Sequence, residues 1–294
     1  MNALPDSVYP PPPTAPQLVC LPGMEAPDLD PKAIAEIIEH VHQRYGIVVP
    51  TERREAFSAE LGRIQTGAKI ESMRELSTRL RQGGAGVLEL QLAEAASVNH
   101  TSFCREPDVL GYFEEEVLKK MSPQRSQRVW SAAASSGEEA YTIAMMACEH
   151  FGPQAAKQAL AILGTDINRR CVDQANEGYY SAARVSGVPL DWRQSYFKAE
   201  GHRHRVSEVL RSICLFRRLN LKLKPWPFQA QFDVIFCRNV LYYFDVPQQS
   251  DIAHRLYRQL KVGGWLFTSV TEGIRDLGTK FVAVRPGVYR KESP

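Results

Sequence analysis

The stretch Arg128–Glu149 (RVWSAAASSGEEAYTIAMMACE) constrains this chain more than any other. It reads as a buried strand through Val129 and Trp130, a tight turn at Ser135-Ser136-Gly137, and a helix opening on Glu138 and Glu139. A small-residue turn between a strand and a helix N-terminus lets the backbone come close to a ligand. The two carboxylates narrow the ligand's chemistry. A phosphate-binding turn would not place them where a polyanion must sit, because like charges repel. They suit a ligand with hydroxyls, an amine or a sulfonium. On this segment alone, an ordinary strand-to-helix turn with a favourable N-terminal charge pair stays open as the alternative.

The rest of the chain falls into parts by composition. Residues 1–29 are rich in proline, including Pro10–Pro13, lack periodic pattern, and read as a loosely attached tail. A helical pattern begins where Asp30 can cap and Pro31 can take the first helical position; Ile34, Ile37, Ile38, Val41 and Tyr45 recur at helical spacing until Gly46. A second helix is expected from about Thr51 to Gly67, and more helix to about Ala96, interrupted at Gly83–Gly86. Residues 30–96 therefore read as a small helical domain.

After about Arg125 strands alternate with helices. Ala159–Asp166 is a buried strand ending in an acid, followed by a helix from Arg169 to Gly178. Phe232–Asn239 is another strand with a polar end, and Gln248–Leu260 an amphipathic helix. Lys261–Gly264 reads as a turn, Trp265–Val270 as a strand, and Phe281–Arg290 as a closing hairpin around Arg285-Pro286-Gly287. Such alternation predicts a mainly parallel sheet with an antiparallel edge.

Charge and cysteines set the outer limits. The net charge of +3 supplies no polycation for a nucleic acid. The six cysteines are scattered without a CxxC pair and read as reduced thiols of a cytosolic protein. No apolar run approaches the ~20 residues of a membrane span, and no signal peptide is apparent. No metal-ligand spacing stands out.

In an open parallel sheet the ligand lies beyond the carboxyl ends of the strands, where strand order reverses. Ser135–Glu139 follow the first strand; Asp166 ends the second, where an acid can bind both ribose hydroxyls or cap the next helix; Arg238 and Asn239 end a later one. The first turn lacks GxGxxG, which weakens a dinucleotide reading. S-adenosylmethionine carries ribose hydroxyls, an amine and a sulfonium together.

Four segments resemble the CheR family, the chemotaxis-receptor glutamate O-methyltransferases. They are Asn99–Glu106 (NHTSFCRE), Trp130–Glu139 (WSAAASSGEE), Gly164–Ile167 (GTDI) and Phe232–Phe244 (FDVIFCRNVLYYF), in family order and spacing. The resemblance covers about residues 31–290, including Arg44–Val49 (RYGIVV), and leaves out the proline-rich tail. It implies an α/β fold of class I, the Rossmann-like methyltransferase type. That fold has a mainly parallel seven-stranded sheet, a preceding small helical domain that faces the receptor (residues 30–96), and a methyltransferase domain (97–294) with a small β subdomain inserted at about 197–219. It also implies S-adenosylmethionine as methyl donor, S-adenosylhomocysteine as product, no metal, and a glutamate on the cytoplasmic helical domain of a chemoreceptor as acceptor.

Carried over by motif, the resemblance puts Asn99, Thr101 and Arg105 in the donor pocket, Glu139 near the methionine amine with Glu138 beside it, and Asp166 on the ribose. Asn220 and Leu221 come near the adenine, and Arg238 and Asn239 complete the site. Arg105 and Tyr243 face the methyl-transfer region. Read without the resemblance, the residues favour a structural salt bridge of Arg105 with Glu106 or another acid, and core packing for Tyr243. The chain departs from the family in two places. The receptor-facing helix carries Glu55 and Glu60 beside Arg53, Arg54 and Arg63, and the β subdomain looks short and basic (His202, Arg203, His204, Arg205, Arg211, Arg217, Arg218), which argues against tethering to a receptor's C-terminal peptide. A monomer is expected. A methyltransferase with another acceptor, or a donor-binding regulator without transfer, are the alternative readings.

Overall fold

The computed structural model describes residues 29–83, 86–97 and 101–294; the proline-rich tail up to residue 28 and Asn99 lie outside them. The first helices are α1 (Pro31–Tyr45), α2 (Arg54–Gly67), α3 (Met73–Gln82) and α4 (Gly86–Ala96). Asp30 caps α1 by accepting from the backbone N–H of Lys32 at 2.9 Å, and Gly46 ends it in the left-handed region. Ile37, Val41, Phe57, Leu61, Met73, Leu76 and Leu92 form a core of their own. Ile34 and Ile38, on the flanks of the α1 stripe, pack against it half-buried.

Helix α5 (Pro107–Glu116) leads into the sheet region. The strands are β1 (Gln127–Ala132), β2 (Leu160–Asp166), β3 (Tyr179–Ser181), β4 (Phe197–Glu200), β5 (Arg203–Val206), β6 (Cys214–Arg218), β7 (Phe232–Cys237), β8 (Leu260–Phe267), β9 (Val282–Arg285) and β10 (Val288–Arg290). Seven of them make one sheet in the order β6-β2-β1-β7-β8-β10-β9. It is parallel from β6 to β8, and β10 runs antiparallel between β8 and β9, as the alternating pattern predicts. Strand order reverses at β1, between β2 and β7, so the crevice opens beyond the carboxyl end of β1. Register brings the strand ends level there: Ala132 stands opposite both Thr165 and Cys237, and Asp166 opposite Arg218.

Trp130 is fully buried on β1, its indole N–H donating to Thr165 Oγ1 at 2.9 Å and its ring edge-on to Trp226. On the other face Phe113 of α5 packs edge-on against Phe236 and Phe267. Helix α6 (Glu138–Phe151) follows β1 and is buried from Ala140 to Cys148. The turn before it depends on Gly137, at φ +96°, where a Cβ would lie 2.9 Å from the Ala175 Cβ and 3.1 Å from the Phe216 ring. Gly137→Ala is therefore expected to lower unfolding stability by about 2–3 kcal/mol, from backbone strain plus overpacking. Urea unfolding checks this, and an unchanged midpoint contradicts it.

Two strand boundaries differ from the sequence expectation. Lys261–Gly264 is no turn between elements but part of β8. Register slips from Phe232↔Leu260 to Val234↔Trp265, so the extra residues loop out as a bulge. Gly263 at φ +80° permits it, and the backbones of Gly263 and Gly264 bond to Lys291. The small sheet, in the order β3-β5-β4, takes in Tyr179–Ser181 and ends at Val206 rather than spanning 197–219. Cys214–Arg218 instead forms the edge of the large sheet, because Phe216 is buried against Gly137 and Gly164 while its basic neighbours face out. Much of the basic character of the small sheet is packing: the Arg203 and Arg205 guanidinia lie 4.5 and 5.1 Å from the centre of the Tyr179 ring.

Candidate active site

A cleft opens at the carboxyl ends of the parallel strands. Thr101, Arg105, Ala133–Ser135, Glu139, Asp166, Leu219–Leu221, Arg238, Asn239 and Tyr243 line it, with Tyr45 from the end of α1 and Ile47 just after it. Backbone strain concentrates here. Ala133, Ser135 and Asn239 have φ of 63°, 49° and 57°, and Cys104 and Glu106, on either side of Arg105, have 56° and 55°. Such conformations cost of order 1–3 kcal/mol each and persist where surrounding structure holds them for a purpose.

Arg238 is the hub. Its side chain is 3% exposed. Nη1 donates to Glu139 Oε2 at 2.9 Å, and Nη2 donates to the Arg105 carbonyl at 2.5 Å and lies 3.4 Å from Glu106 Oε2. Glu139 also accepts from Ser131 Oγ at 2.7 Å. Glu106 accepts from Asn239 Nδ2 and Ser269 Oγ, both at 3.0 Å. Burial pushes the Glu106 carboxyl up, but the Asn239 bond, the Arg238 charge and the Ser269 bond together hold it below its ordinary value. Glu272 accepts from the backbone N–H groups of Asn239 at 2.6 Å and Leu241 at 2.8 Å, which fixes the loop after β7.

Asp166 sits at the end of β2 with its carboxylate at the floor of the cleft. Its oxygens accept from the backbone N–H of Ser135 and of Asn168, each at 2.8 Å. The cap of the following helix is Asn168, whose side chain accepts from the Cys171 N–H, so Asp166 is released from that role. Burial is the largest influence on Asp166 and raises it to about 6, against the backbone hydrogen bonds that lower it.

Tyr243 lies in a short 3₁₀ turn (Leu241–Tyr243), held by its carbonyl accepting from the Val48 N–H at 3.0 Å. Its hydroxyl accepts from the Tyr242 hydroxyl at 3.2 Å, and burial raises its ionisation well above the ordinary tyrosine range, so it stays a neutral hydroxyl.

The cleft thus gathers Thr101, Arg105, Glu139, Asp166, Asn220, Leu221, Arg238, Asn239 and Tyr243, and leaves out Glu138. The Glu138 side chain is fully buried, accepts from Ser136 Oγ at 2.9 Å and is ion-paired with Arg184. Consecutive helical residues point about 100° apart, so Glu138 and Glu139 cannot share one target. The bonds of Glu138 are to the turn and to Arg184, not into the cleft. Asn99 lies outside the described residues. Sequence reasoning misses Glu272 and Tyr45, whose neighbours are remote in the chain, and also Ser131, although it lies in the Trp130–Glu139 segment eight residues from its partner Glu139; for Glu106 the sequence offers only Arg105 as a partner. Its actual partners are Arg238, Asn239 and Ser269.

The residues fit an S-adenosylmethionine-type donor. A carboxylate offers about four acceptor sites, and Asp166 spends part of them on backbone, leaving capacity for two ribose hydroxyls. Arg238 Nε is buried without a hydrogen-bond partner in a cleft otherwise rich in acceptors. Leu219 and Leu221 give the β6 end an apolar lining for a base. Among the described residues no group of His, Cys, Asp or Glu is placed to hold a metal ion, and no helix is long and apolar enough to cross a membrane.

Comparison with known proteins identifies this arrangement. The family model described as CheR methyltransferase, SAM binding domain, matches residues 99–288. The chain is 29% identical over 266 residues to a chemotaxis protein methyltransferase of Borreliella burgdorferi, covering 88% of this chain and 93% of that protein. It is 31% identical over 255 residues to chemotaxis protein methyltransferase 1 of Pseudomonas aeruginosa, covering 83% and 92%. It is 27% identical over 274 residues to chemotaxis protein methyltransferase 1 of Vibrio cholerae, covering 91% and 99%. With Glu139, Asp166, Arg238 and Asn239 converging at the switch point of a mainly parallel seven-stranded sheet, the chain belongs to the CheR methyltransferase family and carries its S-adenosylmethionine-binding domain.

Proposed function

We propose that the protein methylates glutamate side chains on the cytoplasmic helical domain of a chemoreceptor, forming glutamyl methyl esters in sensory adaptation. The observation that supports this reading is that Arg105 and Tyr243 both line the cleft at the strand ends of a chain whose relatives are named chemotaxis protein methyltransferases. S-adenosylmethionine, when bound, supplies an electrophilic methyl group on a sulfonium. Glu139 and Arg238 hold its amino-acid end, Asp166 its ribose and Asn220 with Leu221 its base, supported by Thr101, Asn239 and Asn99. A glutamate carboxylate is already ionised at pH 7 and needs no general base. The work left to the chain is orientation and removal of water. The Arg105 guanidinium and the neutral Tyr243 hydroxyl orient the acceptor carboxylate; a tight ion pair would blunt its nucleophilicity, so their role is positioning. Residues 30–96 face the receptor, and the enzyme acts as a cytoplasmic monomer.

The test uses labelled S-adenosylmethionine and receptor cytoplasmic fragments. Base-labile label is expected in the receptor. Tyr243→Phe and Arg105→Ala are expected to lower transfer by about a hundredfold while S-adenosylhomocysteine still binds. Transfer that persists in both variants defeats the acceptor-side assignment, and donor binding with no base-labile product on any fragment points to a different acceptor.

A further inference from the structure

The cleft contains a polar group that none of the roles above uses. Tyr45, the last residue of α1, is 8% exposed and lines the cleft, yet its hydroxyl is buried with no hydrogen-bond partner. Buried hydroxyls are nearly always hydrogen-bonded, so an orphan on a residue that lines a ligand cleft points to a bond that a ligand completes as the side chain adjusts to it. Its neighbours say which part of the ligand. The nearby charges acting on it come from Glu89, Arg44 and Arg218; Arg218 ends β6, opposite Asp166 in register. Leu219–Leu221, which follow Arg218, line the same end of the cleft. Tyr45 therefore stands at the base end, beyond the ribose acid.

The position is also held firmly. Lys222 Nζ donates to the His42 carbonyl at 3.2 Å and also bonds the Gln43 carbonyl, anchoring the C-terminus of α1 to the segment after β6. The Val48 N–H donates to the Tyr243 carbonyl at 3.0 Å, joining the segment after α1 to the turn after β7. Gly46, at φ +75°, allows the close approach between: a Cβ there would lie 3.0 Å from the Phe244 ring. The helical region thus contributes a wall of the donor site.

We propose that the Tyr45 hydroxyl hydrogen-bonds the edge of the adenine base, making Tyr45 a donor-binding residue supplied by the helical domain. This rests on the donor site described above and adds a contact to it. The hydroxyl can donate to a ring nitrogen or accept from the exocyclic amine.

The experiment is calorimetric titration of wild-type protein and Tyr45→Phe with S-adenosylhomocysteine and with 5′-methylthioadenosine, which keeps the nucleoside and lacks the amino acid. Phenylalanine preserves the ring packing and removes an unsatisfied hydroxyl, so the thermal midpoint of the unliganded variant is expected to be unchanged or raised. Both ligands are expected to lose about five- to tenfold in affinity, the value of one neutral hydrogen bond. Unchanged affinity for both overturns the proposal. A loss confined to S-adenosylhomocysteine also overturns it, because the hydroxyl would then serve the amino-acid half. Failure of the wild-type protein to bind S-adenosylhomocysteine defeats the donor site itself, a different result from either.

Discussion

Asp166→Asn is expected to weaken S-adenosylhomocysteine binding by about a hundredfold, roughly 3 kcal/mol, because the ribose hydroxyls lose a charged acceptor. The wild-type protein should also show a pH dependence that the variant lacks. Burial raises Asp166 to about 6 in the unliganded fold, so it is protonated below that pH and charged above it. Hydroxyl donors favour the charged form. Donor affinity should therefore fall as pH drops below about 6 and level off above it, with proton release on binding near that pH. The stability sign runs the other way. A carboxyl raised from its ordinary 3.8 is most comfortable protonated, so Asp166 weakens the unliganded fold as pH rises from about 4 to about 6, and a bound donor offsets the loss. Calorimetry from pH 5 to pH 8 on both proteins checks this. Equal affinities, or the same pH profile in the variant, would remove Asp166 from the donor site.

Arg238→Met should have the largest effect on stability, a loss of about 3–5 kcal/mol. The substitution preserves length and apolar bulk but leaves Glu139 and Glu106 facing each other across a buried site without their shared cation. It also leaves the Arg105 carbonyl without its donor, so the strained Cys104–Glu106 segment loses an anchor. Donor binding should fall with stability. A double variant that also neutralises Glu139 should recover part of the lost stability, though not the binding, because one stranded charge is removed. Urea unfolding of the single and double variants measures both. A single variant as stable as wild type would show that water relieves the two carboxylates.

Much of this was legible along the chain because it is local. A strand, a small-residue turn and a helix opening within Arg128–Glu149 mark the strand-to-helix turn that lines the cleft, and the acid closing the next strand is Asp166, which lines it too. Asp30, Pro31 and Gly46 delimit α1 through capping and backbone preferences that neighbouring residues alone decide. Strand alternation sufficed for a mainly parallel sheet with an antiparallel hairpin at its edge.

The tertiary structure decided what depends on direction and on distant partners. Glu138 and Glu139 look equivalent in sequence, but helical geometry turns one to Arg184 in the interior and the other to Arg238 in the cleft. The bulge in β8 needs pairing partners on β7 and at Lys291, and the edge strand β6 needs β2 beside it. Glu272 gains its function only where the loop after β7 folds onto it. Tyr45 reads as one more apolar position on an amphipathic helix, and only the docking of that helix end against Lys222 and Tyr243 puts the residue in the wall of the cleft. Local propensity and hydrophobic period act over a few residues, whereas the charge pair at Arg238 and the placing of a single hydroxyl are set by segments 99 and 180 residues apart in the chain.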